Sequence, residues 1–143
     1  MSVNSVNSLA GTNKIIVQSP GPQGATGQGV TTHTMTLPNE LYVLTGKVRF
    51  YLQRNYRISA IAVAAGVAPT GDSLIIDINK NGSTIFTTQE NRPTISDGAN
   101  SDLTAVPDVD TLSVGDYLTV DIDQVGSSFA GADLTVQIEL TET

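Results

Sequence analysis

Leu74-Ile75-Ile76-Asp77-Ile78-Asn79-Lys80-Asn81-Gly82-Ser83-Thr84-Ile85-Phe86 decides the fold. Leu74, Ile76 and Ile78 alternate with Ile75, Asp77 and Asn79, the two-residue period of a strand with one buried face. Asn81-Gly82 then offers the two successive positive φ angles that a type I′ turn demands. The run therefore predicts a β-hairpin, with residues 84–88 as the return strand.

The same period recurs on both sides. Residues 31–37 place His33, Met35 and Leu37 on one side, and residues 47–53 place Val48, Phe50 and Leu52 opposite Arg49, Tyr51 and Gln53. Residues 58–65 are almost wholly apolar and predict a strand covered on both faces, with Ala60, Ala62, Ala64 and Ala65 marking close packing. Leu118, Val120 and Ile122, then Leu134, Val136, Ile138 and Leu140, complete the inward set. Seven or eight short strands with no segment of helical period predict an all-β chain. The expected fold is an antiparallel β-sandwich, jelly-roll-like, over residues 30–143. One connection, residues 89–110, is long, with a short strand expected at 94–96. A loop of that length in a compact domain is usually functional or ordered by a partner.

Composition agrees. Val, Ile and Thr supply 43 of 143 residues, and β-branched side chains suit a pleated surface. Charged residues are 15%, against about 25% in ordinary domains, which argues against a helical bundle or a highly charged disordered chain. No apolar run approaches the ~18 residues of a membrane span. The N-terminal residues lack the basic and apolar regions of a signal peptide.

Residues 1–29 are a different material: an extended N-terminal arm and a linker. Ser-Val-Asn repeats at residues 2–4 and 5–7, and the first 39 residues hold one cation, Lys14, and no acid. Such a stretch cannot offset an ordering cost of roughly 1–2 kcal/mol per residue by itself, so it is expected to be disordered alone. Lys14-Ile15-Ile16-Val17-Gln18 is β-prone with nothing local to pair with, and is the expected partner-binding segment, adding to an exposed sheet edge by main-chain hydrogen bonds. After Pro20, glycine recurs every third residue at Gly21, Gly24 and Gly27. That is the collagen period, in which only glycine fits the triple-helix axis. Two readings stay open: a plain Pro/Gly linker, or a point where three chains meet because a downstream domain holds them together.

Chemistry is sparse. The net charge is −7, which argues against nucleic acid as a partner. Cys is absent, so disulfides, thiolate metal sites and Cys nucleophiles are excluded. His33 is the one imidazole, with no nucleophile motif to serve. Asp77, Asp121 and Asp123 are expected on outward strand faces, and Asp108 and Asp110 close the long loop; no calcium-loop motif accompanies them. Tyr42, Tyr51, Tyr56 and Tyr117 are too scattered for a sugar platform, and core packing or edge contacts are expected. No enzyme activity, cofactor or metal is expected, and no catalytic residue is assigned.

The run from Ala68-Pro69-Thr70-Gly71-Asp72 to Phe86 resembles a β module common in virion proteins of tailed bacteriophages. Asn91-Arg92-Pro93-Thr94-Ile95 and the stretch from Gly115-Asp116-Tyr117 to Gln124-Val125-Gly126-Ser127 match it as well. A Pro-Gly-Pro-Gln-Gly stretch often precedes that module, as residues 20–24 do here. The resemblance covers roughly residues 40–143 and the linker. It implies a homotrimer, a jelly-roll-like sandwich and no catalysis. Such modules serve in tail fibres, head fibres and capsid decoration proteins alike, but this chain is arm, linker and one module without a shaft. The expectation is therefore a trimeric capsid decoration or cement protein on the virion surface, its arm on the major capsid protein. The alternative is a tail-associated module that binds a tail protein or a host surface glycan. Neither nucleic acid nor membrane is an expected partner.

Overall fold

The computed structural model describes residues 6–9, 12–15 and 27–143. In chain order the strands are β1 (Val6–Leu9), β2 (Thr12–Ile15), β3 (Val30–Glu40), β4 (Leu44–Tyr51), β5 (Tyr56–Val67) and β6 (Leu74–Lys80). They continue as β7 (Ser83–Thr84), β8 (Thr94–Ile95), β9 (Ser101–Asp102), β10 (Thr111–Leu112), β11 (Tyr117–Gln124) and β12 (Ala132–Glu142). One 3₁₀ turn, Gln89–Asn91, interrupts them.

Two antiparallel sheets form the sandwich. One has the order β10-β5-β12-β3 with β9 also on β5; the other has the order β4-β11-β6-β7 with β8 also on β6. From β3 to β6 the chain changes sheet at every step, and it does so again from β10 through β11 to β12. This interleaving is the jelly-roll arrangement, as the sequence predicts.

The core lies between the sheets. Leu74, Ile76 and Ile78 on β6, Leu118, Val120 and Ile122 on β11, and Leu134, Val136, Ile138 and Leu140 on β12 are fully or almost fully buried. Each such side chain contributes about 1.5–3 kcal/mol by leaving water. His33 stacks on Phe50, with ring centroids 4.4 Å apart, and so closes the flank between β3 and β4.

Several expectations need correction. Residues 58–65 are not covered on both faces: Ala60 and Ala64 are exposed on the outer surface of their sheet. The near-continuous apolar run has a different cause. Glu139 pairs with Ala60 and Leu140 with Ile58, so Ser59 is an extra residue, and this bulge lets both Ile58 and Ile61 face inward. The clean alternation across 47–53 also fails. Two bulges separate the β4 partners Phe50, Lys47 and Leu44, and Val48, at φ 49°, is 38% exposed instead of inward.

The Asn81-Gly82 turn has the predicted positive φ at both residues, 52° and 84°. Its return strand is only Ser83–Thr84, because Ile85 and Phe86 leave the sheet and are buried in the core. Finally, Lys14 and Ile15 do have a local partner: they pair with Asn7 and Val6 in the β1–β2 hairpin. Ile16, Val17, Gln18, Gly21 and Gly24 lie outside the described residues.

The loops gather at two poles. At one, residues 68–73 meet residues 125–131, through Ser128 N to Thr70 O (2.9 Å) and Thr70 N to Phe129 O (2.9 Å). At the other, Glu142 N donates to Gly29 O (2.8 Å) and Thr143 N to Asn55 O (3.2 Å).

Candidate functional site

The family-like stretches fold onto one another. Thr70, in the first of them, forms an antiparallel bridge with Phe129, just beyond the end of the last. Arg92 Nη1 reaches Asp123 Oδ2 (2.5 Å), and Ile76 N donates to Pro93 O (3.0 Å). Asn81 Nδ2 donates to Asp116 Oδ1 (2.7 Å), while Tyr117 N donates to Asn81 Oδ1 (3.0 Å). These residues hold the fold together, their hydrogen bonds made to one another within the chain.

Most acids serve the same end. Asp108 accepts from Thr88 N (2.7 Å) and Thr88 Oγ1 (3.1 Å), Asp133 from Asn39 N (2.8 Å), Asp121 from Gly46 N (2.6 Å) and Asp97 from Gly71 N (3.0 Å). Asp102 accepts from Thr94 N (2.9 Å), Thr104 N (2.8 Å) and Thr104 Oγ1 (2.6 Å). Burial pushes the Asp102 carboxyl up, but the hydrogen bonds from Thr104 and Thr94 together outweigh it and hold it below its ordinary range. The Ser113 amide does most to lower Asp116, the Thr88 amide to lower Asp108, and the Arg57 guanidinium to lower Asp110. Among the described residues no group of three or more acids or imidazoles is arranged to hold a metal ion.

Asp77 departs from its expected solvated position. It is 7% exposed, with its carboxylate accepting from Ile78 N (2.7 Å) and Thr84 Oγ1 (2.7 Å). Burial raises its pKa, the two hydrogen bonds oppose this, and the nearby Asp123 charge adds to the rise. It lies where β6 meets its return strand β7, and its carboxylate holds the Thr84 hydroxyl. His33 is likewise committed to packing, against Phe50.

Three surfaces remain. The first is the outer face of β5 and β12, where Ala60, Ala62 and Ala64 adjoin Thr135, Gln137 and Glu139 in register. Alanine side chains line its β5 half, and Thr135, Gln137 and Glu139 its β12 half; the close packing that the alanines suggested is not present within the chain. The second is the β4 edge. Among the described residues Arg54, Arg57, Lys80 and Arg92 each pair with a carboxylate, whereas Lys47 and Arg49 do not. Arg49 lies over the Tyr117 ring (4.3 Å), and Tyr117 meets Tyr51 at 5.4 Å. Tyr42 and Tyr51 are 60% and 55% exposed, so of the two roles expected for the tyrosines, surface contact fits them better than core packing.

The third surface is a cleft of about 360 Å³ in the long loop, between the 3₁₀ turn, β8 and β9. A second hollow of about 250 Å³ adjoins it across Glu90, Arg92 and Thr94. The sequence signalled this site through the length of the loop and through the quoted stretch Asn91-Arg92-Pro93-Thr94-Ile95, of which Asn91, Arg92 and Thr94 line the cleft; no motif marks the rest of the lining. Of the expected arm and linker residues, Lys14 and Ile15 sit in the β1–β2 hairpin and Gly27 has open space where a Cβ would stand.

No protein-family model matches the chain, and no curated protein matches it in sequence. Among solved structures it is similar to a chain of the cyanophage Pam1 capsid asymmetric unit. The identity is 10%, the TM-score 0.49, and the match covers 94% of this chain and 100% of that one. At this level the likeness carries no conclusion about function.

Proposed function

We propose that the chain is a structural protein of a bacteriophage virion: a trimeric capsid decoration protein held on the head by its N-terminal arm. The observation that carries this reading is the polarity of the sandwich. The arm joins the domain at Gly29, which is hydrogen-bonded to Glu142 at one pole, and the interlocked loops 68–73 and 125–131 form the opposite pole. A domain tethered at one end and closed at the other suits display on a surface. The commitment of the family-like residues to internal contacts supports a structural role.

The outer face bearing Ala60, Ala62 and Ala64 supports self-association, because small side chains let a second sheet approach closely. Imaging of particles with and without the protein tests the reading. Extra density over the head lattice, three chains to a site, is the expected result. Density confined to the tail would replace it with the receptor-binding alternative.

A further inference from the structure

The two-lobed cleft in the long loop has a chemistry that neither the arm nor the sandwich requires. Its walls carry hydrogen-bonding groups of every kind: the Glu90 carboxylate, the Asn91 amide and the Ser96 and Ser101 hydroxyls. Among the described residues these four side chains make no hydrogen bond within the chain. The groups beside them are engaged: Arg92 by Asp123 and Gln89 O, and Asp102 by Thr94 and Thr104. The engaged groups fix the walls and leave the other four pointed at solvent in a rigid frame.

Ala105 and Val106 add an aliphatic ledge in the first lobe, and Ile75 adds one in the second. A pyranose presents the same combination: a C–H face for the ledge, and adjacent hydroxyls that donate to a carboxylate and accept from an amide. Two lobes joined across Glu90 match more than one sugar ring. Charge narrows the class. The Arg92 cation is neutralised by Asp123, while Glu90 and Asp102 stand on the walls, so sialylated or phosphorylated glycans are disfavoured.

We propose that this cleft binds a neutral oligosaccharide, with Glu90 and Asn91 taking vicinal ring hydroxyls. The proposal does not depend on where the protein sits on a particle. With no aromatic ring in the cleft, the affinity is expected near ~1 mM.

Amide resonances of the full chain, followed during titration with maltotriose, cellotriose, mannotriose and triacetylchitotriose, provide the test, with sialyllactose as the anionic probe. The expected result is that at least one neutral trisaccharide shifts Asn91, Ser96, Ser101 and Thr104 saturably. Glu90→Ala and Asn91→Ala, both surface changes, should each weaken binding roughly fivefold or more and leave distant resonances in place. Absence of shifts with all four neutral probes overturns the proposal. So do shifts centred elsewhere, or sialyllactose binding as well as the best neutral probe.

Discussion

Thr70 and Phe129 bridge the two loops of one pole, Thr70 N donating to Phe129 O at 2.9 Å and Phe129 N to Thr70 O at 3.2 Å. Gly126 sits under this bridge. A Cβ there would collide with the Phe129 carbonyl and stand 2.7 Å from Thr70 N and O.

Gly126→Ala is therefore expected to be one of the most damaging single changes in the domain. Backbone has to move, at a cost of about 3 kcal/mol or more, so the melting temperature should fall by ~10 °C or more. Thermal unfolding followed by circular dichroism checks this. An unchanged melt would mean that the two loops are not locked.

Asp77→Asn is expected to stabilise the protein at neutral pH. The folded-state pKa of Asp77 is raised, by burial above all, so ionising it disfavours the fold. The unfolded value is about 3.9. The wild type should lose stability relative to the variant as pH rises from there through the higher folded pKa, with no further change beyond it. Melts across pH 3–8 test the sign. A variant that is less stable at neutral pH would show that the Thr84 and Ile78 contacts outweigh burial.

Asp102, Asp108, Asp110 and Asp116 predict the opposite trend. Their folded pKa values are lowered. Their contribution is complete above the unfolded value of about 3.9 and disappears as pH falls through the folded values. Loss of stability below pH ~4 should be shallower in Asp102→Asn, which no longer titrates there. Equal slopes would remove Asp102 from the set.

Val48 has φ 49° in a bulge of the β4 edge, a conformation costing a β-branched residue ~1–2 kcal/mol. With the side chain only 38% exposed, Val48→Asn keeps a side chain of similar size while tolerating the left-handed region. A rise in melting temperature of a few degrees is expected, and a fall would place a packing role on the valine.

Strand periodicity was legible on β12, where burial of one face imposes a period of two; on β6 and β11 the apolar alternation was legible as well, although Asp77, Asn79 and Thr119 on the other side are also buried. It misled where an extra residue shifts the phase: at Ser59, at Val48, and beyond Thr84, where Ile85 and Phe86 turn into the core. Bulges depend on partner strands far along the chain, so no local pattern announces them. The burial of Asp77 was invisible because its only local side-chain partner is Thr84; Asp123 and Arg92, whose charges act on it, come from distant parts of the chain. Loop length pointed to the region 89–110. The lining of its cleft comes from residues such as Glu90 and Ser101, which the fold brings together.

The central claim is that the arm attaches the protein to the head while the sandwich stands alone. Binding to particles lacking the protein, measured for the full chain and for a chain beginning at Ser19, tests it most directly. The shortened chain is expected to keep its melting temperature and a trimeric mass, three times that of one shortened chain, yet no longer bind. Decoration by the shortened chain with unchanged affinity would contradict it and assign the contact to the sandwich.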